Sequence, residues 1–456
     1  MPSIDQMTGD QNVRVHVLGG TIVCGDWVGD ELFDEAKHGP RETCDAIKAN
    51  PVSGKAQAML QDFSSEVWKH VGNIRLTEAD KLRDSAEYDP AMLMRMIKEM
   101  RRVVADLTPE EAGVVFTFGT DTGAFLAHAA VEGIPQKILG NKSLIIATSQ
   151  HYAVPNRPEG HRGPFYPAGT EAVENFESAV YLATREEMRG RIGLCCGDSL
   201  HGPRGLHKIN AIDRHPFVSK YPNIAENSKS GALEHRWHFN VENRRDFQPR
   251  ERNNEFILSL GGVEDMSLTP TSNYENLVSA MAGMTNPEGA MKSLSLPRRL
   301  YSWLRGVKLG RAQKDFCGLV VQAPGLSNLR KSNADLQKIN AAAEIGAFAG
   351  APLVIISDPL QTFVGVESGI TRYGTSLSGM RRRLDQLSFG AESHVIDGGS
   401  LTRTEATMLM SQAVAEASRD GLKGKAVVQY VADFIDRYWH WLENGTEMQE
   451  ESPAKA

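Results

Sequence analysis

Cysteine is scarce in this sequence: five residues, Cys24, Cys44, Cys195, Cys196 and Cys317, among 456 positions. The count is odd and no two are spaced as CxxC. That argues against a disulfide scaffold and against a structural zinc site, and it points to a reducing compartment. Long apolar runs are missing as well. No stretch reaches the roughly eighteen residues needed to cross a bilayer. The opening "MPSIDQMTGDQN" has neither the basic n-region nor the apolar h-region of a secretion signal. The expectation is a cytoplasmic protein with no membrane partner. Positive charge is not in excess: 50 Lys and Arg stand against 57 Asp and Glu, a net charge of -7. This argues against nucleic-acid or anionic-membrane binding driven by overall charge. The glycine pair at 19–20 lacks GxGxxG spacing, so a dinucleotide-binding reading fails too. What is present is ordinary for a soluble protein with a sizeable core: 41% hydrophobic and 23% charged residues, in a chain long enough for two or three domains.

Strand-like and helix-like segments alternate. "VRVHVL" (13–18), "AGVVFTFG" (112–119), "KSLIIATS" (142–149) and "RIGLCCG" (191–197) read as strands. "PAMLMRMIKEMRRVVADL" (90–107), with Pro at its start, "DTGAFLAHAAVEG" and "EAVENFESAVYLATREEM" (171–188) read as helices. The pattern fades between about 210 and 256, which is polar and broken by Pro and Gly. It resumes with strands at "EFILSLGG" (255–262), "FCGLVVQAPG" (316–325) and "PLVIIS" (352–357), and with helices at 333–350 and 403–419. The fold class is therefore α/β with two domains: a larger N-terminal doubly wound parallel sheet (1–215) and a smaller C-terminal α/β domain (256–425). Residues 216–255 read as a linker or insertion, and 426–456 as a C-terminal helix with a disordered tail.

In open α/β sheets ligands bind outside the carboxyl ends of the strands. Gly19 and Gly20 end the first strand, so Thr21 falls at that edge. "FTFGTDTG" ends the second and puts Thr120, Asp121 and Thr122 there as well. Lys142, at the third strand, is the expected amine of the same cluster. A threonine hydroxyl is a weak nucleophile that needs a base, and a lysine oriented by a carboxylate can take its proton through a second hydroxyl. The plain alternative is that Thr21 caps a turn, Asp121 caps the next helix and Lys142 snorkels at a sheet edge.

Seven stretches, in order over most of residues 13 to 420, resemble the bacterial-type L-asparaginase/glutaminase amidohydrolases. "LGGTI" (18–22) is similar to their first threonine motif, and "FGTDTGAFLA" (118–127) to their HGTDTMEETA. "RDSAEYDP" (83–90) falls where they bind the substrate carboxylate. "GDSLHGPRGLHKIN" (197–210) aligns Arg204 and Lys208 with the Arg and Lys of their GRDVTKTN segment. "QAPGLSNLRK" (322–331), "ESGITRYG" (367–374) and "GAESHVIDGGSLTRTEATMLM" (390–410) resemble later segments. The resemblance implies that Thr21 attacks a side-chain amide and forms an acyl-enzyme, with Thr120, Asp121 and Lys142 handling the proton. It further implies Ser85, Glu87, Gly20, Gly119, Asn328 and Glu367 as substrate-binding residues, the last two contributed by a neighbouring subunit of a dimer or tetramer. The substrate would be asparagine, glutamine or a related amide, with no cofactor and no metal.

The chain departs from that pattern in its recognition shell. It has no tyrosine between Thr21 and Tyr88, where the family carries one on a loop near the nucleophile. Ala124 and Phe125 replace an acidic pair, Ala86 replaces a substrate-contacting Gln or Glu, and "ATSQ" replaces TGAM. Two alternatives follow: a protein of this fold with an altered substrate or no catalysis, acting in binding or assembly, and the amide-donating subunit of a tRNA-dependent amidotransferase. The second normally carries an extra N-terminal barrel, and a first threonine motif only twenty residues in argues against that expectation. Three features have no family counterpart. The segment 292–311 holds six Lys and Arg and no acid, and reads as a solvated face or as a contact with a subunit, an anion or RNA. His235 and His238 lack further ligands at metal spacing and read as surface histidines. The aromatic helix at 426–442 reads as a packing element.

Overall fold

The computed structural model describes residues 11–23, 54–83, 90–149, 171–209, 215–228, 236–240, 245, 247–250, 256–259, 262–267, 277–278, 281, 316–323, 333–357, 394–399 and 401–444. The chain divides into two compact units, Met1–Glu255 and Phe256–Ala456.

In the first unit, β1 (Gln11–Gly19), β2 (Val71–Arg83), β3 (Glu111–Thr117), β4 (Ser143–Ala147) and β5 (Ile192–Cys196) run parallel. β6 (Ser199–His201), β9 (Ala225–Asn227) and β10 (Trp237–Phe239) extend them antiparallel, while β7 (Leu206–Lys208) and β8 (Phe217–Ser219) form a separate hairpin. The resulting sheet has eight described strands in the order β10-β9-β6-β5-β4-β3-β1-β2. Five helices are described: α1 (Lys55–Met59), α2 (Pro90–Ala105), α3 (Gly123–Gly133), α4 (Gln136–Leu139) and α5 (Glu171–Thr184).

β1 lies between β2 and β3 and is buried from Val13 to Gly19, as a strand covered on both faces must be. Val13, Val15 and Val17 pack in one core with Phe176, Ala179 and Val180 of α5. The alternate residues Arg14 and His16 turn to the other face, toward α2. A buried guanidinium is tolerated only when its donors find acceptors. Arg14 forks onto the Glu111 carboxylate at 2.9 and 2.6 Å and donates to the carbonyls of Val103 and Asp106 at 3.4 and 3.0 Å. His16 Nδ1 lies 2.9 Å from Thr77 Oγ1, and burial lowers its pKa. α2 carries Pro90 at its first position, where a missing N–H costs nothing, and buries Leu93, Ile97, Met100 and Val104 at helical spacing.

Part of the stretch 216–255, read as a linker or insertion, is in regular structure: β8, β9 and β10 come from it, and β9 and β10 belong to the main sheet. The long strand β2, which the sequence reading passed over, is the edge partner of β1.

The second unit holds a four-stranded parallel sheet: β11 (Gly262–Ser267), β12 (Phe316–Ala323), β13 (Leu353–Ser357) and β14 (Val395–Gly399), in that order. The strand expected at 255–262 begins instead at Gly262; residues 256–259 are not in a strand. α6 (Asn333–Ala349), α7 (Arg403–Arg419) and α8 (Lys425–Asn444) complete the unit. α8 is a packing element of this unit: Val427, Val431, Phe434, Ile435 and Tyr438 join the core with Val320, Val354 and Leu409. α7 opens on a capping box: Thr402 Oγ1 accepts from the Glu405 N–H at 3.2 Å, and Glu405 Oε2 accepts from the Thr402 N–H at 2.9 Å. The other oxygen of this buried carboxylate accepts from Tyr438 Oη at 2.9 Å. Tyr438→Phe is therefore expected to lower stability by about 1–3 kcal/mol, since a buried oxygen loses its donor. The denaturant midpoint measures this, and an unchanged midpoint would refute the role given to that bond.

Among the described residues no helix is long and apolar enough to cross a membrane.

Candidate active site

The turns that follow β1 and β3 press directly on each other. Gly19 and Gly20 have φ of 128° and 85°, the region that side chains rarely adopt. A Cβ on Gly20 would stand 2.1 Å from the Gly119 nitrogen and 2.2 Å from the Phe118 carbonyl carbon. Thr117 Oγ1 donates to Gly19 O at 3.3 Å, and the Phe118 N–H donates to Ala147 O at 3.0 Å. The backbone of Thr21, which opens a short 3-10 turn closed by the Val23 N–H on Gly20 O, thus starts one residue from the glycine that touches Gly119, next to Thr120. Gly20→Ala combines a positive φ with a backbone clash. It is expected to cost about 2–4 kcal/mol, read as a lower melting temperature; a loss under roughly 1 kcal/mol would mean that the turns separate easily.

The amine in this cluster is Lys208, not Lys142. Lys208 Nζ donates to Thr120 Oγ1 at 2.8 Å and to Asp121 Oδ1 at 2.7 Å. Thr120 is buried, whereas the Asp121 side chain is 57% exposed and that of Lys208 17%. The N-cap of α3 is Thr122, and the Asp121 carboxylate takes the ammonium, so a simple helix-capping role does not describe it.

Lys142 precedes β4. Ser143 pairs with Gly113 and Ala147 with Thr117 in parallel register, which puts Lys142 at the amino end of the strands. A five-residue strand, roughly 16 Å, separates the two edges. There Lys142 Nζ donates to the carbonyls of Thr108, Pro109 and Glu111 at 2.9, 3.1 and 2.5 Å. Burial, reinforced by Arg189, lowers its pKa. It clamps the turn before β3.

Two further features surround Lys208. It pairs with Phe217 across the β7–β8 hairpin, and the Phe217 ring lies 3.6 Å from where a Cβ on Gly123 would stand. Four residues before Lys208, Arg204 is wholly buried against Glu132 of α3 at 2.7 Å. His201 packs edge-on to Phe217, and burial pushes its pKa down to about 4, which keeps it neutral at physiological pH. Ser85, Glu87, Asn328 and Glu367 lie outside the described residues, as do the segment 292–311 and His235. His238 is exposed on β10. Among the described residues no three His, Cys, Asp or Glu side chains group as a metal site.

Neither a protein-family model nor a curated protein matches the sequence. Solved structures do match. The thermostable L-asparaginase from Thermococcus kodakarensis superposes with a TM-score of 0.54, covering 94% of this chain and 97% of that one at 16% identity. L-asparaginase I from Vibrio cholerae superposes with a TM-score of 0.55, covering 93% and 97%, also at 16% identity. The chain has the two-domain asparaginase fold, with a large parallel-dominated sheet and helices.

Proposed function

We propose that this chain is an asparaginase-like amidohydrolase that releases ammonia from the side-chain amide of asparagine, glutamine or a related compound. The observation that carries this reading is the double hydrogen bond of Lys208 to Thr120 and Asp121, beside the turn that holds Thr21. In the proposed sequence the Thr21 hydroxyl attacks the amide carbon. The C–N bond breaks, and the leaving nitrogen takes a proton relayed through Thr120 and Lys208, departing as ammonia. Water then attacks the Thr21 ester, freeing the acid and restoring the hydroxyl. Backbone N–H groups in the glycine turns are suited to hold the oxyanion. Lys208 takes the role that the sequence reading assigned to Lys142.

Ser85 and Glu87 remain proposed substrate contacts. Asn328 and Glu367 belong to a proposed homo-oligomer, which light scattering would detect, and a cytoplasmic location completes the reading. An ammonia-release screen across small amides tests it: turnover of at least one amide is expected, and none across the panel would overturn it. The absence of a tyrosine between Thr21 and Tyr88 favours one competing reading, a binding or assembly protein of the same fold. Ligand-dependent thermal shifts without turnover would support that alternative.

A further inference from the structure

We infer that the buried Glu132–Arg204 ion pair is the positioning element of this site, fixing the hairpin that carries Lys208 against the helix that begins just after Asp121. The consequence for turnover rests on the amidohydrolase reading; the placement of the amine does not.

The connections form a closed circuit. Glu132 lies in the last turn of α3, whose first residue, Gly123, comes two positions after Asp121. Arg204 lies between β6 and β7, four residues before Lys208. Both side chains are completely buried. Arg204 Nε and Nη2 converge on Glu132 Oε1 at 3.1 and 2.7 Å, and Nη1 donates to the carbonyls of Arg245 and Gln248 at 2.8 and 2.7 Å. Arg250 brings a second guanidinium 3.8 Å from Glu132 Oε2, and its backbone N–H donates to Val131 O at 3.0 Å. The guanidinium is thus held on two sides in one orientation.

The hairpin has no slack next to it. A Cβ on Gly205 would stand 2.8 Å from Lys220 Cβ, and the Lys220 N–H donates to Gly205 O at 2.9 Å. From there Leu206, His207 and Lys208 pair with Ser219, Val218 and Phe217. Phe217 returns to α3 at Gly123, and Lys208 closes the circuit on Asp121.

A buried ion pair is weak evidence for stability, because well-packed apolar residues do as well. What a planar fork adds is a fixed direction, which a lysine in its place lacks. The pair spans 72 positions of sequence and joins the helix that begins just after Asp121 to the segment that leads into Lys208.

The test compares the wild-type full chain with Arg204→Lys, which keeps charge and loses the fork, and Glu132→Gln, which keeps shape and loses charge. Each lysine's reactivity toward an amine-acylating reagent is read by mass spectrometry, alongside ammonia release. Lys69, 62% exposed, sets the scale, and Lys142, held at the opposite edge of the sheet, reports general unfolding. We expect roughly tenfold faster acylation of Lys208 in both variants, with Lys142 unchanged, as local opening predicts. We expect kcat to fall in step. Unchanged Lys208 reactivity overturns the proposal, whatever happens to turnover. So does a parallel rise at Lys142 in both variants, which marks a merely structural pair. Selective release of Lys208 in a chain whose wild type hydrolyses no amide would leave the positioning standing and overturn the amidohydrolase reading.

Discussion

Thr21→Ala is expected to abolish ammonia release, by at least about 10⁴-fold, while the protein still folds. The size of the effect follows from the reaction: with no hydroxyl at residue 21 no ester forms, and direct attack by water is all that remains. Folding should survive because the local structure rests on neighbours. Ile22 and Val23 are buried, the Val23 N–H reaches Gly20 O, and alanine supports the same short turn. A stability change within roughly 1 kcal/mol is the accompanying expectation. Thr21→Ser keeps a hydroxyl and should retain measurable turnover. Wild-type rates from the alanine variant would remove residue 21 from the chemistry, even if every other part of the site behaved as proposed.

The second expectation opposes two lysines. Lys208→Met removes both hydrogen bonds to Thr120 and Asp121 and should lower kcat by about 10²–10⁴-fold, the usual range for loss of a proton-transfer group. Lys142→Met removes the ammonium that the carbonyls of Thr108, Pro109 and Glu111 share, although Thr108 O keeps the Glu111 N–H at 3.1 Å, and should cost about 1–3 kcal/mol in stability. Its turnover should stay within a few-fold of wild type, because it lies at the other edge of the sheet. Parallel kinetic and denaturation measurements on the two variants separate the roles. The reverse pattern, loss of turnover in Lys142→Met with wild-type turnover in Lys208→Met, would return the catalytic amine to Lys142.

That contrast shows where the sequence was legible and where it was not. An apolar run stopped by glycines marks the carboxyl end of a buried strand, so Thr21, Thr120 and Asp121 were found at one edge. Lys142 was misplaced by direction alone: in a parallel sheet a residue before a strand and a residue after its neighbour lie at opposite ends. Lys208 was matched by resemblance, yet its reach to Thr120 depends on a hairpin of two three-residue strands, too short to show periodicity. The same brevity hid β9 and β10 in a stretch that read as a linker. β2 was hidden for another reason. Arg75, Glu78, Asp80 and Lys81 give "VGNIRLTEADKLR" the look of a loop, and such charges are also what an edge strand carries. The helices α2, α7 and α8 were legible because their apolar spacing is local. The Glu132–Arg204 pair was not, since nothing in either neighbourhood announces a partner 72 positions away.

The dependence of the second unit on α8 has a consequence for synthesis. Every described strand of the first unit has left the ribosome once residue 239 is out, so that sheet can close while the rest is still being translated. The second core has no such opportunity. Phe434, Ile435 and Tyr438 are made well after the strands they cover, and until they arrive the apolar side chains of Val320, Val354 and Ile356 lack part of their cover. During that interval the nascent chain carries a sheet whose strands are all made but whose apolar face is only partly covered, the kind of exposed surface that favours aggregation.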